Sequence, residues 1–337
     1  MMLFIHSVSH FLVDALSVTI LFSQGAEGEL LTLALVLYNT LAFSTQCLVG
    51  LLIDSVRPTR IFTAAAMLTI VLGFLLPMPF LLRIGIAAIG NSFFHVAAGK
   101  ITLETSGNSA RSLGIFVAPG ALGVTLGTNL PEFAWPLCAA MLLSAVIILC
   151  TPTLFSKSVP SSKPSADIHS GFPLLPVLLL CCAVAIRALG GSVIDFPWKQ
   201  GLAASFILTC FIFFGKFLGG FICDRLGASY AAWITIPLAA ICLCFFSKNM
   251  ALSLFGQLLL NLSMPITLWL LYKLGPDAPG FAFGLAASAL WPGTIVGLLF
   301  RLTGPLAQFC ALTCMAFSLF AIIYAARYIK RKEKITR

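Results

Sequence analysis

The chain has 337 residues, 60% of them hydrophobic and only 9% charged, with a mean hydropathy of +1.05. A soluble domain of this length carries about a quarter charged residues, so the composition excludes a water-soluble globule and predicts an integral membrane protein. The formal net charge of +9 would suit a nucleic-acid partner, but the placement of the basic residues, described below, argues against one.

The first apolar run, residues 3–23, reads "HSVSHFLVD" near its start. His6, His10 and Asp14 recur at i, i+4 and i+8, which puts all three on one side of a helix. A cleaved signal peptide is disfavoured. No basic segment precedes the run, no small-x-small cleavage site follows it, and His10 and Asp14 interrupt it.

Five further runs long enough to span a bilayer fall near 30–53, 61–79, 81–104, 112–130 and 134–152. Pro77-Met78-Pro79 makes a tight split between the third and the fourth. A Ser/Pro-rich stretch, "SKSVPSSKPSADIHSG", occupies 156–171. Six more runs follow near 172–196, 201–222, 229–247, 250–272, 279–302 and 304–328, and the chain closes on the basic "RYIKRKEKITR". The expected architecture is an all-α membrane protein of twelve transmembrane helices in two six-helix bundles. Residues 1–155 form the first bundle, 156–171 a cytoplasmic linker, 172–328 the second bundle and 329–337 a basic tail.

Lys and Arg in short loops set the orientation. Arg57, Arg60, Lys100, Arg111, Lys157, Lys163, Lys216, Arg225, Lys273 and the tail residues from Arg327 to Arg337 fall on one side. Only Arg83, Lys199, Lys248 and Arg301 fall on the other. Both termini and the linker are expected in the cytoplasm and the chain in the inner membrane, so the basic excess is a topology signal. The tail either holds the terminus in place or also meets anionic headgroups.

The eleven cysteines show no C-x-x-C pairing with histidines at zinc spacing. Most, including Cys181, Cys182, Cys242 and Cys244, lie in apolar runs, where a thiol acts as a small hydrophobe. They read as structural, without disulfides.

Setting Phe43 on Phe213 aligns the two halves. "FSTQCLVGLLIDSVRP" from Phe43 then falls on "FFGKFLGGFICDRLGA" from Phe213, which brings Leu48, Gly50 and Asp54 onto Leu218, Gly220 and Asp224. The same register puts Asn91 on Asn261, Gly114 on Gly284 and Gly123 on Gly293. A duplicated six-helix unit is implied, with the halves related by an axis along the membrane normal and a cavity between them.

The stretch Gly220 to Gly227 resembles the G-x-x-x-D-R-x-G loop signature of the major facilitator superfamily and falls where that family carries it, between the second and third helices of a half. The first-half copy keeps Gly50 and Asp54 but has Ser55 in place of the arginine of the pattern (Arg225 in the second half). Arg57 and Arg60 are the nearby replacements. The resemblance implies that Gly50, Asp54, Gly220, Asp224 and Arg225 act as gating-loop residues, the carboxylates packing where the halves meet and holding one state of the cycle. "His10-Phe-Leu-Val-Asp14" and "Asn91-Ser-Phe-Phe94-His95" resemble the fosmidomycin-resistance branch, with Val96 where that branch has proline. The stretch from Gly114 to Gly123 is similar to the glycine-proline signature of the superfamily's antiporters, with Ala118 in place of a usual glycine.

Ionisable side chains at membrane depth are costly and face a cavity or a partner. His10 and His95 count to similar depths on antiparallel helices, with Asp14 and Asn91 each one turn further out. The resemblance makes helices 1 and 4 neighbours, so His10, Asp14, His95 and Asn91 are expected in one cluster. It reads either as a proton-coupling site, histidine changing charge near neutral pH, or as a polar network fixing helix 1 to helix 4. His6 is either part of that site or interfacial. His6 and His10 are spaced for a metal, but no second carboxylate or cysteine is placed to finish a site, so no metal is expected. Arg187 on helix 7 either attracts an anionic substrate or pairs with Asp14 or Asp195. Asn261 mirrors Asn91 and either binds substrate or bonds to a neighbouring helix.

No hydrolase elbow, phosphate loop or H-E-x-x-H motif is present. The expected function is therefore secondary active transport of a small organic compound by alternating access, proton-coupled and outward, by a monomer without cofactor. His10, Asp14 and His95 would carry protons, and Asn91, Arg187 and Asn261 would contact substrate. Uptake of an anionic metabolite by a facilitator or proton symporter is the alternative within transport. A receptor or an enzyme on a transporter-like scaffold is the alternative from another class.

Overall fold

The computed structural model describes all residues except 24, 57–58, 106–108, 152–171, 301 and 337. The proposed linker 156–171 and the loop cations Arg57, Lys157, Lys163, Arg301 and Arg337 lie outside the described residues. A backbone in lipid must satisfy its own N–H and C=O groups, and these apolar runs do so as helices. In chain order they are α1 (Met2–Phe22), α2 (Gly28–Ser55), α3 (Thr59–Leu75), α4 (Phe80–Thr105), α5 (Arg111–Asn129) and α6 (Pro131–Cys150). The second half supplies α7 (Leu174–Ser192), α8 (Gly201–Leu226), α9 (Ala228–Phe245), α10 (Met250–Leu274), α11 (Pro279–Leu299) and α12 (Gly304–Thr336). Among the described residues, eleven of these are long and apolar enough to cross a membrane, and the shorter apolar α3 makes the twelfth of the expected set. Large apolar side chains such as Leu143, Trp233 and Phe309, 62%, 61% and 68% exposed, face outward as lipid requires.

Local chemistry explains the breaks. Pro77 and Pro79 cannot continue α3, because proline lacks an N–H and restricts the residue before it. The turn is then held by Arg83, whose Nε and Nη2 donate to the carbonyls of Gly73 and Phe74, both at 2.9 Å, at the end of α3. Gly227, at φ +80°, is the single residue between α8 and α9, a conformation that glycine adopts without penalty. Within α2, Thr40–Ser44 forms a π-helical turn, and α10 and α11 are each interrupted near mid-length, at Leu262 and Ala289.

Over the described residues the chain divides into two compact units. One comprises Met1–Gly107, Pro119–Gly171 and Asp277–Ser288; the other comprises Asn108–Ala118, Phe172–Pro276 and Ala289–Arg337. Each therefore incorporates the first part of one helix from the opposite half of the sequence. The division cuts α5 after Ala118 and α11 at its break after Ser288, and these two residues correspond in the repeat register.

In the first unit, Val49 and Ile53 of α2 pack on Val96 and Ala97 of α4, with Phe62 and Phe93 against them. Buried hydroxyls pin helices together: Ser9 Oγ to Ser144 Oγ joins α1 to α6 at 2.7 Å, and Thr45 Oγ1 to Ser92 Oγ joins α2 to α4 at 2.7 Å. In the second unit Ser318 of α12 donates to the carbonyl of Ala183 on α7 at 3.3 Å.

The duplication is visible atom by atom. In the first unit Asp54 accepts from the backbone N–H of Gly280 at 2.9 Å and of Phe281 at 2.8 Å. In the second unit Asp224 accepts from the N–H of Ala110 at 2.7 Å and of Arg111 at 3.2 Å. Carboxylates and amides alike keep the register that sets Phe43 on Phe213. The glycines follow suit. A Cβ on Gly50 would strike the carbonyl oxygen of Gly280 and Cα of Phe281, and one on Gly220 would strike the carbonyl oxygen of Ala110 and Cα of Arg111. Glycine is needed here because the helices touch backbone to backbone.

Candidate functional site

In the first unit, helix periodicity brings His10 and Asp14 to one face of α1, and α4 presents Asn91 and His95, also one turn apart, against it. His10 Nε2 lies 2.8 Å from His95 Nε2 and 3.2 Å from Asp14 Oδ2. His95 Nε2 lies 3.5 Å from Asp14 Oδ1, and Asn91 Nδ2 donates to that oxygen at 3.0 Å. His10 is 5% exposed and Asn91 2%, while the side chains of His95 and Asp14 are 12% and 14% exposed. The cluster expected from counting depth is therefore formed, and its four side chains interlock.

The hydrogen-bond pattern fixes where protons sit. His95 Nδ1 is 2.9 Å from the carbonyl oxygen of Asn91. A carbonyl only accepts, so Nδ1 carries the hydrogen and Nε2 of the neutral ring keeps its lone pair. The two Nε2 atoms are within hydrogen-bond distance and cannot face each other with lone pairs alone, so one proton lies between them. With that single proton both imidazoles are neutral and the cluster carries the charge of Asp14. One more proton makes it neutral overall.

Helix α5 closes over the cluster through glycine. A Cβ on Gly120 would crowd Asp14 Oδ2 and His10 Nε2, and Cβ atoms on Gly123 and Gly127 would strike the α1 carbonyls of Phe11 and Ala15. These glycines bring a helix within reach of the ionisable face. His6 stands apart. It is 1% exposed and its Nε2 has no hydrogen-bond partner among the described residues.

Sequence spacing paired His6 with His10 and found nothing to finish a metal site. In three dimensions His10, Asp14 and His95 offer three donor atoms within 4.8 Å of one another, and His6 is not among them.

In the second unit Arg187 of α7 lines a cleft of about 600 Å³ together with Asp195, Lys199, Lys216, Gln257 and Asn261, among others. Its Nη1 donates to Ser263 Oγ at 2.9 Å and its Nη2 to Thr267 Oγ1 at 3.2 Å, both on α10. Among the described residues Arg187 has no ion pair with Asp195, although both border the cleft. The guanidinium is held by neutral hydroxyls, which fix its position without cancelling its charge. Asn261 donates to the carbonyl of Gln257 at 2.8 Å and reaches its Oε1 at 3.3 Å.

At the loop carboxylates the structure supplies a cation that sequence reasoning missed. Lys100 Nζ lies 3.2 Å from Asp54 Oδ1, donates to the Ile53 carbonyl at 2.9 Å, and is 3.8 Å from Glu104. It stands beside Asp54 where Arg60 was a candidate; Arg57, the other candidate, lies outside the described residues. Arg60 instead donates to the carbonyl of Thr151. Asp224 has no ion pair with Arg225 among the described residues; Ser109 Oγ donates to it at 2.5 Å. Leu270, at the repeat position of Lys100, is a fully buried leucine, so register alone could not point to the lysine.

No family model and no curated protein matches the chain. Among solved structures it is similar to a Major Facilitator Superfamily transporter, FucP, in the outward conformation. The TM-score is 0.68 at 16% identity, over 96% of this chain and 98% of that one. It is also similar to a point variant of the Escherichia coli fucose:proton symporter FucP, with a TM-score of 0.66 at 15% identity, over 96% of both chains. The architecture is thus that of the major facilitator fold, across essentially the whole molecule.

Proposed function

We propose that the protein is a proton-coupled secondary active transporter that moves a small organic compound across the cytoplasmic membrane by alternating access. The observation that carries this reading is the contact between His10 Nε2 and His95 Nε2 at 2.8 Å beside the Asp14 carboxylate. A membrane-embedded cluster built to hold a proton, with room for another, is what coupling to a proton gradient requires. The likeness to a fucose:proton symporter supports coupling as a class of mechanism, while the substrate of that protein is its own.

In this reading His10, Asp14 and His95 exchange protons with each side in turn. Asn91, Arg187 and Asn261 contact substrate, and Gly50, Asp54, Gly220, Asp224 and Arg225 belong to the gating loops. The two six-helix bundles, 1–155 and 172–328, work as a monomer with both termini and the linker in the cytoplasm. The direction is export, supported by the helix-1 and helix-4 motifs that resemble the fosmidomycin-resistance branch.

A second reading is favoured by one observation. Arg187 has no ion pair among the described residues and borders a cleft whose charged lining is two lysines and Asp195, positive on balance, which suits uptake of an anionic metabolite. Growth of cells expressing the chain against a panel of toxic compounds, with and without a proton uncoupler, tests both. Uncoupler-sensitive resistance supports export, whereas uncoupler-sensitive hypersensitivity to organic anions supports uptake. A panel on which expression changes nothing contradicts transport of such compounds.

A further inference from the structure

We infer that His10, Asp14 and His95 form a binding site for one divalent transition-metal ion of the Zn²⁺, Co²⁺ or Ni²⁺ class. The inference uses the same side chains as the proton-coupling reading but does not depend on transport.

The geometry of the donors carries it. A tetrahedral ion with nitrogen and oxygen ligands at about 2.0–2.1 Å sets those ligands about 3.3 Å apart. The three separations here are 2.8 Å for the two Nε2 atoms, 3.2 Å from His10 Nε2 to Asp14 Oδ2, and 3.5 Å from His95 Nε2 to Asp14 Oδ1. The two carboxylate separations involve different oxygens of Asp14; with one ligand atom per residue the three donors lie within 4.8 Å of one another, so side-chain rotation is needed to bring them to that spacing. A purely structural contact between α1 and α4 would not need three donors converging on one point.

The outer shell points the same way. Metal-bound imidazoles donate their other ring N–H to a carbonyl or carboxylate, and ligating carboxylates are themselves hydrogen-bonded. His95 Nδ1 donates to the Asn91 carbonyl at 2.9 Å, which turns the Nε2 lone pair toward the cluster, and Asn91 Nδ2 donates to Asp14 at 3.0 Å. One residue thus supports two ligands. Gly120 keeps the side facing α5 clear, since a Cβ there would crowd both His10 Nε2 and Asp14 Oδ2.

The donor set selects the ion. Two imidazoles and one carboxylate suit late first-row divalent ions, whereas Mg²⁺ and Ca²⁺ require oxygen ligands. The ion takes the lone pairs of both Nε2 atoms and one oxygen of Asp14, with His10 carrying its ring hydrogen on Nδ1, so two neutral imidazoles, one carboxylate and the divalent ion leave the site at +1.

The test is titration of the purified full-length chain in detergent with Co²⁺, followed in the visible region and by displacement with Zn²⁺. The expected result is one equivalent bound with the spectrum of a nitrogen/oxygen site and no sulfur charge-transfer band. His10→Gln and His95→Gln should each weaken binding at least about tenfold, and Asn91→Ala should weaken it by about 10–100-fold, as loss of an outer-shell partner does. Extended X-ray absorption of the wild-type Zn²⁺ form needs no variant and should show two imidazoles at about 2.0–2.1 Å. Absence of a Co²⁺ spectrum, a sulfur-ligated site alone, or wild-type affinity in the double His10→Gln/His95→Gln chain overturns the inference. Metal binding without proton-coupled transport, or the reverse, would sink one reading and leave the other.

Discussion

Asp54 and Asp224, which occupy the same position in the two repeats, each accept hydrogen bonds from two consecutive backbone amides near the start of a helix belonging to the opposite half of the sequence. The carboxylates act as helix caps supplied from outside the helix, where the unsatisfied amides and the helix dipole favour negative charge. They differ in surroundings. Asp54 is mostly buried and bonded to Lys100, whereas Asp224 is exposed. Asp54→Asn should therefore lower stability by about 1.5–3 kcal/mol, the range for a hydrogen bond to a charged group, because Lys100 loses the nearer and more buried of its two carboxylates. Asp224→Asn should cost about 1 kcal/mol or less, since solvent competes for the exposed carboxylate. Thermal unfolding of the two variants in detergent checks the order, and equal losses would show that the lysine adds nothing.

Gly50 and Gly220 make the same approach to a partner backbone. Gly50→Ala and Gly220→Ala should each destabilise by about 1–3 kcal/mol, the usual cost of forcing a methyl into a packed contact. Because neither glycine has a positive φ, the effect is one of space alone. Denaturation midpoints near wild type for both would mean that the helices can separate without loss.

Arg187 distinguishes anionic from neutral cargo. If the guanidinium fork held on Ser263 and Thr267 receives an anion, Arg187→Gln should raise KM for an anionic compound about tenfold or more, corresponding to about 1.4 kcal/mol. Arg187→Lys should recover part of this, since it keeps the charge but not the fork. Uptake or efflux assays with charged and neutral compounds provide the comparison. An equal effect on neutral compounds would assign Arg187 a structural role.

Much of the fold could be read from the chain. Apolar run length is a direct consequence of bilayer thickness, so the twelve spans emerge from hydropathy, and the repeat register set Gly50 on Gly220 and Asp54 on Asp224, residues that the structure shows making matching contacts. The cluster of His10, Asp14, Asn91 and His95 followed from depth counting because helices rise uniformly. Other features left no sequence signal. The partners of Asp54 are backbone amides, which every residue but proline carries. Lys100 breaks the repeat, its counterpart being Leu270, and the sequence marks it only as a loop cation. Spacing along α1 alone could not bring in His95, which lies on a different helix far along the chain; only the depth count did. Arg187 reads in the sequence either as an anchor for an anionic substrate or as a partner of Asp14 or Asp195; the hydroxyls of Ser263 and Thr267 that hold it gave no sequence signal, because such residues are too common in membrane helices to stand out.

The central claim is that Asp14, with the proton shared by His10 and His95, couples transport to the proton gradient. It is tested most directly in proteoliposomes loaded with a pH-sensitive dye, using a compound identified by the growth assay. The account predicts that adding the compound moves protons across the membrane in the wild type. Asp14→Asn should abolish that proton movement while still exchanging compound for compound. Compound transport by the wild type with no proton movement, or unchanged proton movement in Asp14→Asn, would contradict it.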